Sequence, residues 1–116
     1  MSNSISFDGN MMIVEPSSVD KFFSFTNKLT IPFNNIVGAT VDKGIINTFK
    51  GVKRPGLSIS GHKWCGVFQL DNHKSFWNVT NGETPLVITL KNEKYDSLIL
   101  GVNNAKTFES LINNLL

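Results

Sequence analysis

Apolar and polar residues alternate in short runs along most of this chain, and the runs are separated by residues that favour turns. After a turn signal at Asp8-Gly9-Asn10, Met11 to Val14 forms the first run, closed by Pro16. Lys21-Phe22-Phe23-Ser24-Phe25 follows, with Phe23 and Phe25 on one face and Phe22 on the other. After Asn27-Lys28, Leu29, Ile31 and Phe33 alternate with Thr30 and Pro32. Proline cannot donate to a ladder, so Pro32 places this strand at an edge or a bulge. Asn34-Asn35-Ile36 suits a single helical turn before Val37 to Val41 resumes as strand. Trp64, Gly66, Phe68 and Leu70 then alternate with Cys65, Val67 and Gln69, and Asp71-Asn72-His73 turns the chain into Lys74 to Val79, the clearest hairpin. Asn81-Gly82 is a second strong turn pair. Pro85 opens Leu86 to Leu90, whose inward set is Leu86, Ile88 and Leu90, and Asn92-Glu93-Lys94 leads to Leu98, Leu100 and Val102. Such spacing predicts a mainly antiparallel β domain, either a partly closed barrel or two packed sheets.

The period then changes from 2 to 3.6. Phe108, Leu111, Ile112, Leu115 and Leu116 follow the i, i+3, i+4, i+7, i+8 rule of an amphipathic helix over about 104–115. Asn103 is the expected N-cap. Lys106, Glu109, Ser110, Asn113 and Asn114 are expected on the outer face. A helix this short is marginal alone and must dock on the sheet, where Phe108, Leu111, Ile112 and Leu115 would plug one end of a barrel. Residues 42–62 are the least regular part, broken by Gly44, Gly51, Gly56 and Gly61, with Pro55-Gly56 marking a turn. They read as a long loop holding one or two short strands.

Length sharpens this picture to one domain spanning 1–116, since a chain of 116 residues buries roughly two thirds of its unfolded surface around one core. Charged residues are only 17% of the chain, and the polar quota is filled instead by fourteen asparagines, which favour turns. Cys65 is the single cysteine and can form no internal disulfide, which suits a reducing, cytoplasmic setting. No basic start with an apolar run of ~7–15 residues opens the chain. No stretch approaches the ~20 apolar residues of a membrane span. Asn78-Val79-Thr80 matches the glycosylation sequon, and without secretion the match is read as chance.

Many short antiparallel strands followed by one C-terminal helix is the element order of pleckstrin-homology-like domains. The residues make the match more particular: Leu29-Thr30-Ile31-Pro32-Phe33 with Ile36, Arg54-Pro55-Gly56 with Gly61, Phe76-Trp77, Leu86-Val87-Ile88, Tyr95-Asp96, and Gly101-Val102-Asn103-Asn104 before Phe108 and Ile112. In these the chain resembles a group of uncharacterised bacterial domains with a pleckstrin-homology (PH)-like fold, over about three quarters of its length. The resemblance implies a partly open antiparallel barrel of about seven strands capped by the C-terminal helix. Such domains often place aspartate and proline where this chain has Asn103 and Asn104. Phosphoinositide-binding members carry a basic pair around their first hairpin loop, and here that region reads Glu15-Pro16-Ser17-Ser18-Val19-Asp20-Lys21, which argues against that ligand.

Candidate chemistry is sparse. Net charge is +2, too small for a dedicated nucleic-acid binder, but Lys43, Lys50, Lys53, Arg54 and Lys63 fall in a stretch, 43–70, without any acid. Lys50, Lys53, Arg54 and Lys63 are therefore the candidate anion-binding residues, suited to phosphate or an anionic membrane surface, against the bland reading of a solvated loop. His62, Cys65 and His73 fit no zinc spacing, so no metal or cofactor is expected. Cys65, alternating with Trp64, reads as a small buried hydrophobe. Of Phe76 and Trp77, on opposite faces of one strand, at least one is core; Trp77 and Phe22 are the candidate partner-contact aromatics. The leading expectation is a non-catalytic module that binds protein, self-association included. Attachment to an anionic surface is the alternative, and a small-ligand carrier or enzyme using the barrel interior is the third reading.

Overall fold

A computed structural model describes residues 3–16, 28–45, 52–59 and 63–116. Among these, β1 (Ser4–Asp8), β2 (Met11–Glu15) and β3 (Leu29–Pro32) form a three-stranded antiparallel sheet in that order. Gly9, at φ +61°, makes the turn between β1 and β2, a backbone conformation that a side chain would strain. β3 is the outer strand on one side, where Pro32 needs no second ladder partner. Phe33–Asn35 closes one 3-10 turn, as the Asn pair suggests.

The second sheet has six strands: β4 (Ile36–Val41), β5 (Val52–Ile59), β6 (Lys63–Leu70), β7 (His73–Thr80), β8 (Pro85–Leu90) and β9 (Ser97–Gly101). Their order is β4-β8-β9-β7-β6-β5. Helix α1 (Ala105–Leu115) completes the chain. The protein is thus mainly β with one C-terminal helix and two sheets, and the sheets do not close into a barrel.

The structure departs from the sequence reading at β5 and at β9. β5 is a full eight-residue strand, with Pro55-Gly56 inside it at a shift of register rather than at a turn. β5 is outermost among the described residues, and an outer strand tolerates such a proline because one side of its ladder needs no partner. The Asn81-Gly82 turn forms, with Gly82 at φ +96°, but β7 and β8 are not neighbours: β9 lies between them and pairs parallel with β7. The described pairing is mainly antiparallel, with β7–β9 the parallel exception. The β6–β7 hairpin is as expected, Asp71 taking φ 54° in its two-residue turn.

Alternation sorts each strand of the larger sheet into two faces. Phe76, Leu86, Ile88, Leu90, Leu98 and Leu100 pack with Met12 and Val14 of the smaller sheet and Ile112 of α1 in the main core. Phe68, Trp77, Val79 and Ile99 form a second apolar cluster on the opposite face. β9 is buried along its whole length because it serves both.

At one end of β9, Glu83 folds across Gly101 and accepts a hydrogen bond from the Thr80 N–H at 2.7 Å. A β-carbon at Gly101 would collide with the Glu83 carboxylate. Gly101→Ala is expected to lower stability by about 1 kcal/mol, most of it recovered on adding Glu83→Ala, as thermal melts of the three variants would show.

Candidate functional site

The six-stranded sheet has two outer strands, and the chain treats them differently. β4 is covered by the helix. Asn113 accepts a hydrogen bond from the Ala39 N–H (2.9 Å) and donates one to the Ala39 carbonyl (2.8 Å), and Glu109 accepts one from the Val41 N–H (2.6 Å). The match is geometric: one helical turn advances ~6 Å, close to the ~6.6 Å spanned by two strand residues. Residues 109 and 113 therefore read the outward backbone groups of 41 and 39. Both side chains are polar and were expected on the solvent face; Asn113 is exposed and Glu109 half-buried, and both also bond a ladder edge.

β5, the other outer strand, pairs only with β6 among the described residues. Lys53 and Arg54 lie on it. Lys63 begins β6 opposite Ile59, six residues along from Lys53, so the two lysines stand about 20 Å apart along the strands. By backbone position, Lys53 and Arg54 are neighbours at one end of β5, and Lys63 lies at the far end of the pair, on β6. Lys43 sits in the turn that follows β4, where the Asp42 side chain accepts from the Gly44 N–H; four strands separate β4 from β5. Lys50 and His62 lie outside the described residues, as does Phe22.

Trp77 is not a surface aromatic. It is 3% exposed, its indole N–H donates to Ser75 Oγ at 2.9 Å, and its ring meets Phe68 edge-on at 5.9 Å. Phe76 is buried as well, against Tyr95, because the larger sheet has an apolar cluster on each face. Partner contact through Trp77 is therefore corrected. Cys65 is buried, in keeping with its alternation. Asn78 of the sequon is 1% exposed and tied to Asn3, which closes the folded chain to glycosylation there.

Helix α1 also departs from expectation. Its cap residue is Asn104, in left-handed geometry at φ 58° with no side-chain cap bond, rather than Asn103. Proline cannot take that angle, so position 104 could not carry the proline seen at this helix start in the resembling domains. Ala105 and Ile112 are buried, but Leu111 and Leu115 are not, so the helix covers an edge more than it plugs an end.

One juxtaposition has no sequence signal. His73 Nε2 lies 2.9 Å from Ser97 Oγ across 24 residues, brought together by the parallel pairing of β7 and β9. A serine beside an imidazole is the start of a nucleophile–base pair. Here Ser97 is 6% exposed, and the contact ties two strand ends. Among the described residues, no three His, Cys, Asp or Glu side chains gather as for a metal ion, and no helix is long and apolar enough to cross a membrane. No protein-family model, curated protein or solved structure matches the chain.

Proposed function

We propose that this domain is a non-catalytic binding module that takes an extended, acidic segment of a partner protein along the outer edge of β5. The supporting observation is the asymmetry of the larger sheet: side chains of α1 occupy the edge of β4, whereas β5, eight residues long, is outermost among the described residues and carries Lys53 and Arg54, with Lys63 on its partner strand β6. Strand addition supplies affinity through main-chain hydrogen bonds that any extended peptide can make. Positive charge at Lys53, Arg54 and Lys63 selects an acidic one and speeds its arrival. Lysine, proline and a register shift within β5 are the features that discourage two identical edges from zipping together. A separation of about 20 Å along the strands between Lys53 and Lys63 suits an extended chain better than a single phosphate or headgroup. The likeness to bacterial PH-like domains and a cytoplasmic setting belong to the same proposal, resting on the quoted motifs and the mainly β outline with its C-terminal helix.

A ten-residue peptide of alternating glutamate and valine tests this by fluorescence anisotropy. Binding is expected, weakened at least ~10-fold by Lys53→Glu with Arg54→Glu and by raising salt, and lost when alternate peptide amides are N-methylated. Sedimentation with phosphatidylserine vesicles, without peptide binding, would replace this reading by the membrane-surface one. Peptide binding indifferent to N-methylation would remove strand addition.

A further inference from the structure

We propose that Asn81 is a self-modifying site: the backbone nitrogen of Gly82 attacks the Asn81 side-chain carboxamide, and the turn converts to an isoaspartyl link. This does not depend on the peptide reading at β5. Of the fourteen asparagines, only Asn81 precedes a glycine, the residue with no β-carbon to shield its amide nitrogen. Attack of that nitrogen on Cγ closes a five-membered succinimide ring. The amide proton goes to solvent base, and the side-chain nitrogen of Asn81 leaves as ammonia. Water then adds to one of the two ring carbonyls. Opening at the main-chain carbonyl routes the chain through the former side chain, as isoaspartate, and opening at the other gives aspartate. One water is consumed and one ammonia released, with no oxidant or other co-reactant.

The topology of the larger sheet removes the restraint that slows this reaction in a hairpin. There the two strands joined by the turn are laddered to each other and brace it. The turn Thr80–Glu83 joins β7 to β8, which are not neighbours, because β9 lies between them. The Glu83 N–H donates to the Thr80 carbonyl (2.9 Å) and the Thr80 N–H to the Glu83 carboxylate (2.7 Å), and neither bond uses the nitrogen of Gly82. Gly82, third in the turn at φ +96°, has the angle of a type II turn, in which that nitrogen points away from the preceding side chain. The peptide must flip to bring it back, and glycine, at home at either sign of φ, is the residue that allows the flip. Asn81 is exposed, and apart from its chain neighbours no atom lies within 4 Å of where a β-carbon on Gly82 would sit, so base and water reach the reacting atoms. Asp8-Gly9 is the contrast: Asp8 is laddered to Met11, and a carboxylate is a poorer electrophile than a carboxamide. The product lengthens the backbone between β7 and β8 by one methylene and sets a carboxylate near Glu83. Since Glu83 folds across Gly101, whose carbonyl accepts from Asn3, conversion at residue 81 loosens that end of the sheet.

Ageing of the full chain in neutral buffer, followed by peptide mapping with mass spectrometry and by labelling with an isoaspartate-specific carboxyl methyltransferase, is the test. Asn81 is expected to convert before any other asparagine, with isoaspartate exceeding aspartate, at a rate within ~10-fold of that in the guanidinium-unfolded chain. Gly82→Ala should slow conversion at least ~10-fold, and Asn81→Gln should remove the methylation signal. In the purified isoaspartyl form the Thr80 amide should exchange hydrogen at least ~10-fold faster than in fresh protein. Asn81→Asp, which adds the charge without lengthening the chain, should leave that exchange within ~3-fold of the parent. Asn81 intact in the folded chain after the unfolded chain has converted, earlier conversion at another asparagine, or conversion undiminished by Gly82→Ala would each overturn the site. Equal Thr80 exchange in the fresh and isoaspartyl forms would overturn its effect on the sheet.

Discussion

Asn78→Asp is expected to destabilise the domain by at least ~3 kcal/mol at pH 7 and by much less at pH 4. Asn78 Nδ2 donates to Asn3 Oδ1 at 2.7 Å, while Asn3 Nδ2 donates to the carbonyls of Asn78 (3.0 Å) and Gly101 (2.8 Å). An ionised carboxylate at position 78 would face the Asn3 carboxamide oxygen without a proton between them. Asn3 cannot answer by turning its amide over, because that would aim its oxygen at two carbonyl oxygens. With the site 1% exposed, the carboxylate has no water to turn to either. Burial raises the aspartate's folded-state pKa above its unfolded value near ~3.9. The folded variant thus holds its proton more tightly than the unfolded one, and stability falls as pH rises from the unfolded pKa. At low pH the carboxyl O–H can donate to Asn3 Oδ1 and restore the lost bond. Urea melts of parent and variant at the two pH values measure this. An equal loss at both would mean that the side chain is hydrated and the Asn3 tie is not formed.

The second large effect is on the covered edge. Glu109→Ala and Asn113→Ala together are expected to cost about 2–3 kcal/mol, three hydrogen bonds to backbone being removed. Hydrogen exchange should quicken most at the amides of Ala39 and Val41, while Leu86 and Ile88 in the interior of the sheet follow global stability. Uniform acceleration across the sheet would show that the helix acts only through Ile112 and its apolar contacts.

How much of this was legible in the chain depended on whether a local period carried it. Leu86, Ile88 and Leu90 are all buried, as a period of two requires, and Phe108 and Ile112 announce the helix. β1 gave a weaker sign, since Ser4, Ser6 and Asp8 leave only Ile5 and Phe7 to mark it. β5 was obscured because Pro55-Gly56 has the chemistry of a turn, and only an outer position makes it compatible with a strand. Strand neighbours are a different matter. Nothing in Leu86 to Leu100 says that β9 rather than β8 lies beside β7, because both strands are apolar and short. The same holds for the candidate site. The basic residues could be found by counting charge, but the separation of Lys53 from Lys63 needed the register of β5 on β6. Glu109 and Asn113 were read as solvent-facing from polarity alone, although an amide or carboxylate can equally serve an exposed backbone ladder.

The place of β9 constrains the order in which the molecule can assemble. Residues 97–101 are made after every other described strand, yet they form the middle of the sheet, with β7 on one side and β8 on the other. Until they arrive, β4 with β8 and the β5–β6–β7 meander are two separate pieces with no shared ladder. Asn3, which bonds to Gly101 across 98 residues, then links the first described residue to that final strand. Folding must therefore wait for long-range closure, which is slow relative to local pairing. During that interval the apolar faces of β7 and β8 are without their neighbour, so a nascent chain halted before Leu98 is the state most exposed to aggregation.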